Sequence, residues 1–386
     1  MQAHQILALI PDALLEELAL ETEVNKYSKK LQGQLLFKLL IHCIVTHKDN
    51  SLRKMESAFE SIGFSLLHAG QSKKKIRYNS ISERLSTIKS SYFEQLYQSC
   101  LTIYSPYFPS NATLRFDSTI VALSRKILKV GYHIKGGDAE NLKQLKFTIG
   151  FNGLPVAADF YSEQQYTSEN VALRETIIKH ACEKYNSVRV FDRGITSRKT
   201  HDEMVSKKIP FVSRINHNSK REVVIINKLT EDIETDALII KQDYVIQLFT
   251  QYGKAAYPLR CIEAIKKQSG DKIHFVTNIY DLDTLTITQL YKQRWDIEVF
   301  FKFIKQELNF SHLINRSSNG IQVMLYATLI AAILLLVYKQ TNRLSGFKIM
   351  KLKFINELEK SVALMFVEMC GGNTQLASKL LNINSS

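Results

Sequence analysis

The chain has 386 residues, 45% of them hydrophobic and 23% charged, an ordinary globular composition with ample material for a core rather than that of a disordered or low-complexity chain. Its formal net charge of +14 points to a polyanionic partner, and the excess is patchy: nine basic residues against three acidic between Arg189 and Arg221, and five against none between Lys339 and Lys353. Cys43, Cys100, Cys182, Cys261 and Cys370 are scattered with no C-x-x-C pair, and no histidine joins one at zinc spacing, which argues against a disulfide or zinc scaffold and for reduced cysteines in a cytosolic protein.

Residues 1 to about 105 read as helical, and the N-terminus shows no signal-peptide pattern. Pro11-Asp12 opens a short amphipathic helix through Leu20, a second apolar-periodic segment runs from Leu31 to His47, and others cover Ser51–Leu67 and Ile81–Tyr104. The residue set His42, Cys43, His47 falls within one of these helices and reads as packing rather than as ligands. A basic connector, Ser72-Lys73-Lys74-Lys75-Ile76-Arg77, joins two of the segments.

From Asn111 the pattern changes to strands. Leu114-Arg115-Phe116-Asp117-Ser118-Thr119 reads as a buried strand ending in an acid. Lys146–Phe151, the turn Asn152-Gly153 and Pro155–Tyr161 form a hairpin, followed by a helix over Ser168–Tyr185. Val188-Arg189-Val190-Phe191-Asp192-Arg193-Gly194 is a second apolar strand running into an acid, then come a helix from Thr196 to Val205 and a strand from Ile209 to Ile215. A carboxylate at the end of an apolar strand is costly unless it meets a cation or a metal, which singles out Asp117 and Asp192. Asp159 lies on the hairpin's second strand, where alternation points it outward, and Asp138 reads as a loop residue. Further alternating segments follow at Glu222–Asn227, Ala237–Ile240, Tyr244–Thr250, Tyr257–Ile265 and Lys272–Tyr280.

The stretch from Tyr291 to Lys305 has no Pro or Gly, and Thr286 or Thr288 offers a cap, so it reads as one helix. At about 100° per residue, Tyr291, Arg294, Glu298 and Lys305 share one edge, beside a buried arc of Ile297, Phe300, Phe301, Ile304 and Leu308. A rise of about 1.5 Å per residue sets Arg294 roughly 6 Å below Glu298 and Lys305 roughly 10 Å above it, a spacing suited to successive phosphates of a nucleic acid strand. The plain alternative is an amphipathic helix with solvated charges. After it, Ser317–Tyr338 is uncharged; it approaches the roughly 17–25 residues that span a bilayer, but its polar start favours a buried core helix over a membrane span.

The spacing Tyr291, Arg294, Glu298, Lys305, with Trp295 directly after the Arg, resembles the YREK signature of insertion-sequence transposases of the DDE group called the IS-four family. Phe191-Asp192-Arg193-Gly194 resembles the family's second-Asp motif, and Phe211-Val212-Ser213-Arg214 the short strand after it. The resemblance covers most of residues 110–315 and implies an α/β, ribonuclease-H-like catalytic core over 106–316. It also implies a β-rich insertion at about 217–275 before the catalytic Glu, an all-α N-terminal domain over 1–105 that binds element ends, and a helical C-terminal region over 317–386.

It further implies a catalytic and metal-binding triad of Asp117, Asp192 and Glu298, holding two Mg2+ ions with Mn2+ as a substitute. Tyr291, Arg294, Lys305, Arg193 and Arg214 become DNA contacts, and Trp295 either stacks on an unpaired base or packs against the insertion or the sheet. The expected function is cut-and-paste transposition: hydrolysis at element ends and strand transfer into double-stranded target DNA. The expected assembly is a homodimer on DNA and a monomer when free, in the cytoplasm of a prokaryote and with no membrane partner. A structure-specific nuclease or resolvase on the same core, and a non-catalytic end-binding relic, are the alternatives. Some relatives use a second Trp in the insertion as a wedge for a hairpin step; this chain has one Trp in all, so that step is not implied.

Overall fold

The computed structural model describes residues 1–28, 30–69, 75–108, 113–123, 132–133, 143–181, 187–227, 229, 231–310, 313–315 and 317–381. Asp138, Cys182 and residues 72–74 of the basic connector lie outside them. The chain forms two compact units: one of Met1–Pro109, Leu123–Val130 and Lys302–Ser386, the other of Ser110–Ala122 and Gly131–Phe301.

The first unit is helical. It contains α1 (Ala3–Ala8), α2 (Asp12–Glu21), α3 (Gly33–Thr46), α4 (Leu52–Phe59), α5 (Ile62–Phe64), α6 (Tyr78–Thr87) and α7 (Ser90–Tyr104). The expected single segment Ile81–Tyr104 is two helices, because Asn319 donates its side-chain amide to the carbonyls of Leu85 and Ile88 and so ends α6 at a fixed point. That Asn belongs to the long apolar helix near the C-terminus, Ser318–Thr341, whose one charge is Lys339 in its last turn. Its start is capped by Ser317, whose Oγ accepts from the Gly320 amide at 2.9 Å. A side chain at Gly320 would meet the Asn315 amide, since a Cβ there would lie 2.4 Å from it. The helix is long and apolar enough to cross a membrane, yet 94% of its most apolar window is buried, and it packs on α3, α6 and α7 as the core of this unit.

The second unit is built on one mixed sheet. Its strands are β1 (Thr113–Leu123), β2 (Tyr132–His133), β3 (Lys143–Phe151), β4 (Pro155–Tyr161), β5 (Val188–Phe191) and β6 (Phe211–Ile215). They continue with β7 (Arg221–Asn227), β8 (Ile233–Glu234), β9 (Leu238–Thr250), β10 (Gly253–Lys254), β11 (Leu259–Lys266) and β12 (Lys272–Thr277). The neighbour order is β10-β9-β11-β12-β6-β5-β1-β3-β2, with β4 beside β3 and with β7 and β8 beside β9. β1, β5 and β6 run parallel, and β3–β4 is an antiparallel hairpin, which is the ribonuclease-H-like arrangement expected.

The strands of the expected insertion are not a separate layer. β12 pairs antiparallel with β6, and β11 and β9 carry the same sheet outward. Alternation sends Phe191, Phe211, Val276 and Cys261 to one face and Val190, Val212, Phe275 and Ile262 to the other. α8 (Glu169–Lys179) and α9 (Arg198–Ser206) cover the first face through Leu173, Ile177 and Met204. α10 (Thr284–Lys292) covers the second through Ile287 and Tyr291. Each buried Phe contributes about 1.5–3 kcal/mol, so the two faces fix the register on which the acids depend. The remaining helices are α11 (Trp295–Glu307), α12 (Ser318–Thr341), α13 (Phe347–Met369) and α14 (Thr374–Leu380).

Candidate active site

Strand register brings two of the acids together. β1 and β5 pair from Thr113↔Val188 to Phe116↔Phe191, so Asp117 and Asp192 are the next residues on adjacent strands, where neighbours lie about 4.8 Å apart. β1 does not end at Asp117, as expected, but runs on to Leu123; what ends there is its parallel partner. Asp117 accepts the Ser118 amide at 2.8 Å. β5 and β6 pair through Val190↔Val212, and two residues further Arg214 donates to Asp192 Oδ1 through Nη2 at 2.8 Å and Nε at 3.1 Å.

The third acid comes from a helix pair. The stretch read as one continuous helix is two, α10 and α11, and its cap is the Asp283 carboxylate, which accepts the Thr286 amide at 2.9 Å. Between them, Arg294, Asp296 and Ile297 donate their amides to carbonyls three residues back rather than four. Tertiary contacts hold this tight turn in the absence of Gly or Pro: Arg115 of β1 donates to the Gln293 side chain at 2.8 Å and pairs with Asp296 at 3.4 Å. Beyond the turn, Ile297, Phe300, Phe301, Ile304 and Leu308 are all buried, as the periodicity predicts.

The turn changes where the signature side chains go. Tyr291 is buried, with its ring 5.1 Å from that of Phe275, and it donates its hydroxyl to Asp192 Oδ1 at 2.8 Å. Arg294 is not on a solvent-side edge: its side chain is 12% exposed and its Nη2 lies 2.6 Å from Glu298 Oε1. Its Nε is buried without a hydrogen-bond partner among the described residues. Lys305, further along α11, is half-buried and falls in the helical unit. Trp295 opens α11 with 61% of its surface exposed, so it is not packed against the sheet. Arg193 is exposed beside Asp192.

Electrostatics tie these groups into one cluster. Burial pushes the Asp117 carboxyl up to about 6; the Ser118 amide and the Arg294 charge oppose this, while Glu169 and Glu298 add to it. Asp192 is also desolvated, but the Arg193 amide, Arg214 and Tyr291 outweigh that and hold it below the usual carboxylate range. Burial works against the Arg294 guanidinium, yet Tyr291, Glu298 and Asp192 together raise its affinity for its proton. Arg294 is therefore the positive centre that all three acids feel.

Asp159 is buried rather than outward-facing, and it pairs with Lys179 at 2.5 Å and His180 at 3.0 Å. Nothing in the sequence marks Glu169, yet it approaches the Asp192 loop closely: a Cβ on Gly194 would lie 2.3 Å from its Oε2.

Among the described residues no three His, Cys, Asp or Glu side chains stand close enough to hold a metal ion as arranged. The donor chemistry nevertheless fits a hard divalent cation, because Asp117, Asp192 and Glu298 offer only carboxylate oxygens. The misfit is one of position: Glu298 is engaged by Arg294, and Asp192 by Arg214 and Tyr291.

A ribonuclease-H-like sheet presenting two acids side by side on adjacent parallel strands, with a third from the helix that follows, defines a DDE-type nucleotidyl transferase core. Residues 113–334, more than half of the chain, match the family described as "Transposase DDE domain", and the chain belongs to that family. It is 29% identical over 157 residues to a Sinorhizobium fredii protein named as transposase y4zB, covering 40% of this chain and 44% of that one. It is 28% identical over 170 residues to one from Geobacillus stearothermophilus named as a transposase for insertion sequence element IS5377, covering 44% of each. A Synechocystis protein named as a transposase for insertion sequence element IS4SA is 26% identical over 233 residues, covering 57% of this chain and 58% of its own. These matches span about half the length of the relatives, and the insertion-sequence names IS4SA and IS5377 are consistent with the IS-four resemblance of the signature.

Proposed function

We propose that the chain cuts DNA at the ends of an insertion sequence and joins the freed 3′-hydroxyls to target DNA, with Asp117, Asp192 and Glu298 as the catalytic carboxylates. The observation that carries this reading is that the three acids, from β1, β5 and α11, gather around one guanidinium, that of Arg294. Two Mg2+ ions, when bound, supply the charge that activates an attacking oxygen and stabilises a leaving one in an in-line displacement, with Mn2+ as a substitute.

The protein's own groups have separable tasks. Tyr291 and Arg214 hold Asp192 at a fixed angle beside Asp117. Arg294 neutralises Glu298 in the resting chain, and on release its donors face the phosphate backbone. Lys305 and Arg193 add phosphate contacts, and exposed Trp295 stacks on an unpaired base at the cut. The N-terminal helices bind element ends, and two copies assemble on two ends.

The test is cleavage of a duplex carrying the terminal repeats that flank the gene, with Mg2+, Mn2+ or a chelator. Asp117→Asn, Asp192→Asn and Glu298→Gln should each abolish cleavage and leave end binding intact, since binding rests on phosphate contacts. Near-normal Mg2+-dependent cleavage by any one of them removes that residue from the triad.

A further inference from the structure

A cavity of about 570 Å³ opens beside the acids, lined among others by Arg193, Arg214, His217, Lys266, Lys272 and His274. It adjoins the candidate active site directly, because Arg193 follows Asp192 in the chain and Arg214 donates to it. Asp271 is an acid in the same lining, and it sits 4.0 Å from Lys266, both well exposed. Lys272 pairs with Glu263 at 2.9 Å but is 52% exposed, and His217 is exposed, so both can meet a ligand in solution.

The deepest wall is the least satisfied. His274 on β12 is 1% exposed, and its Nε2 lies 2.8 Å from Arg221 Nη2. A guanidinium only donates, so Nε2 is the acceptor there and the ring proton resides on Nδ1. Glu263, 3.3 Å from the same Nε2, then has no proton to take from it. Nδ1–H is buried with no partner among the described residues, a state that costs about 1–3 kcal/mol and that the Arg221 contact on Nε2 holds in place. Arg221 also donates to the His217 carbonyl at 3.0 Å, which fixes the β6–β7 turn against the cavity.

We infer that this cavity is a phosphate subsite for the DNA strand passing Asp192, with the exposed His217 and Lys272 as its donors and Arg221 as the residue that holds the His217 turn in place. The assignment rests on the transposase reading above. A backbone phosphate fits better than a free anion because the cavity shares Arg193 and Arg214 with the acids, as a strand continuing beyond the cut would require.

The test measures binding and cleavage of the terminal-repeat duplex, unmodified or with one neutral methylphosphonate linkage stepped along the strand past the cut. Wild-type protein should lose affinity at one particular linkage. His217→Ala/Lys272→Ala, which alters only exposed side chains, should bind the unmodified duplex with a log K against log salt slope shallower by about 1–2 and show no further loss at that linkage. If wild type cuts the duplex but the variant keeps the full slope and the same methylphosphonate profile, the subsite is refuted while the transposase reading stands. If wild type with Mg2+ neither binds nor cuts, both fall together. Competition by inorganic phosphate without any linkage-specific loss marks a general anion pocket and also overturns the assignment.

Discussion

Tyr291→Phe separates two roles for the first residue of the signature. Its spacing in the sequence suggests a hydroxyl that meets a DNA phosphate, whereas the structure commits that hydroxyl to Asp192 Oδ1 at 2.8 Å. The substitution keeps the ring, and with it the contact to Phe275 and the stacking of Arg214, 5.3 Å from the ring centre. A hydrogen bond to a charged group contributes about 1.5–3 kcal/mol. The same oxygen keeps two Arg214 donors, and the Asp192 side chain is 35% exposed, so water replaces part of the loss. The stability cost should therefore be about 1 kcal/mol. Catalysis is more sensitive, because a carboxylate that loses one of two anchors drifts from a geometry that tolerates about 0.5 Å, and the expected loss is about 10- to 100-fold in the cleavage step. Single-turnover cleavage at saturating DNA reads that step apart from binding, and the salt slope of binding should not change. An unchanged rate with weaker, less salt-dependent binding would show that the hydroxyl serves DNA and that its bond to Asp192 is incidental.

Arg294→Ala should lower stability as well as activity, by about 1–3 kcal/mol, because a largely buried guanidinium leaves Glu298 and its neighbours uncompensated. In a Glu298→Gln background the same change should cost clearly less; equal costs in a denaturation double-mutant cycle would deny the coupling. Asp159 provides a pH test: burial opposes its ionisation, but hydrogen bonds from His180 and Lys179 outweigh that and hold its carboxyl below the usual range. A lowered carboxyl pKa gives stability that is full above the unfolded value of about 3.9 and is lost as pH falls through the folded one. The gap in urea midpoint between wild type and Asp159→Asn should thus be constant near neutrality and close below about pH 4; a gap that widens on acidification contradicts the pairing. On the proposed function each chain would carry one triad, so joining two ends would call for two copies. Mixing Asp117→Asn chains with chains defective in end binding should restore cleavage in trans, and a single-subunit complex that both cuts and joins would exclude this.

Much of the site is legible in the sequence because short-range rules govern it. An apolar run that ends in an acid marks Asp117 and Asp192, and the hairpin turn and the buried arc of α11 follow from periodicity alone. What escapes is set by partners distant in the chain. The break between α10 and α11 has no Gly or Pro to announce it; it is held by Arg115, 178 residues before Gln293. Arg214 reaches Asp192 through strand register, 22 residues apart. Asp159 turns inward because Lys179, at the end of the next helix, and His180, just beyond it, meet it. His274 reads as an ordinary strand residue until the β6–β12 pairing places it at the cavity wall.

The long segment between Asp192 and Glu298 acquires a mechanical meaning from the same register. Asp243 on β9 and Arg260 on β11 are 3% and 6% exposed, and they pair at 2.6 Å. Two such charges in a core are tolerated only when every donor and acceptor is used, and here they are: Asn227 and Thr284 donate to Asp243, while Arg260 reaches the carbonyls of Ile279 and Leu282. Thr284 is the first residue of α10, and Tyr291 lies near the helix's end. The insertion strands therefore fix where α10 begins, α10 fixes the height of the Tyr291 hydroxyl, and that hydroxyl fixes Asp192. Removing one partner of the buried pair would cost about 3–5 kcal/mol by stranding the other, whereas replacing both by apolar groups of similar volume can be nearly neutral. An apolar pair, however, has no directional hold on Thr284 and the Leu282 carbonyl. The ionic pair sets position where an apolar one would supply only cohesion, and for the proposed catalytic acids, whose convergence would tolerate about 0.5 Å, position is the scarcer quantity.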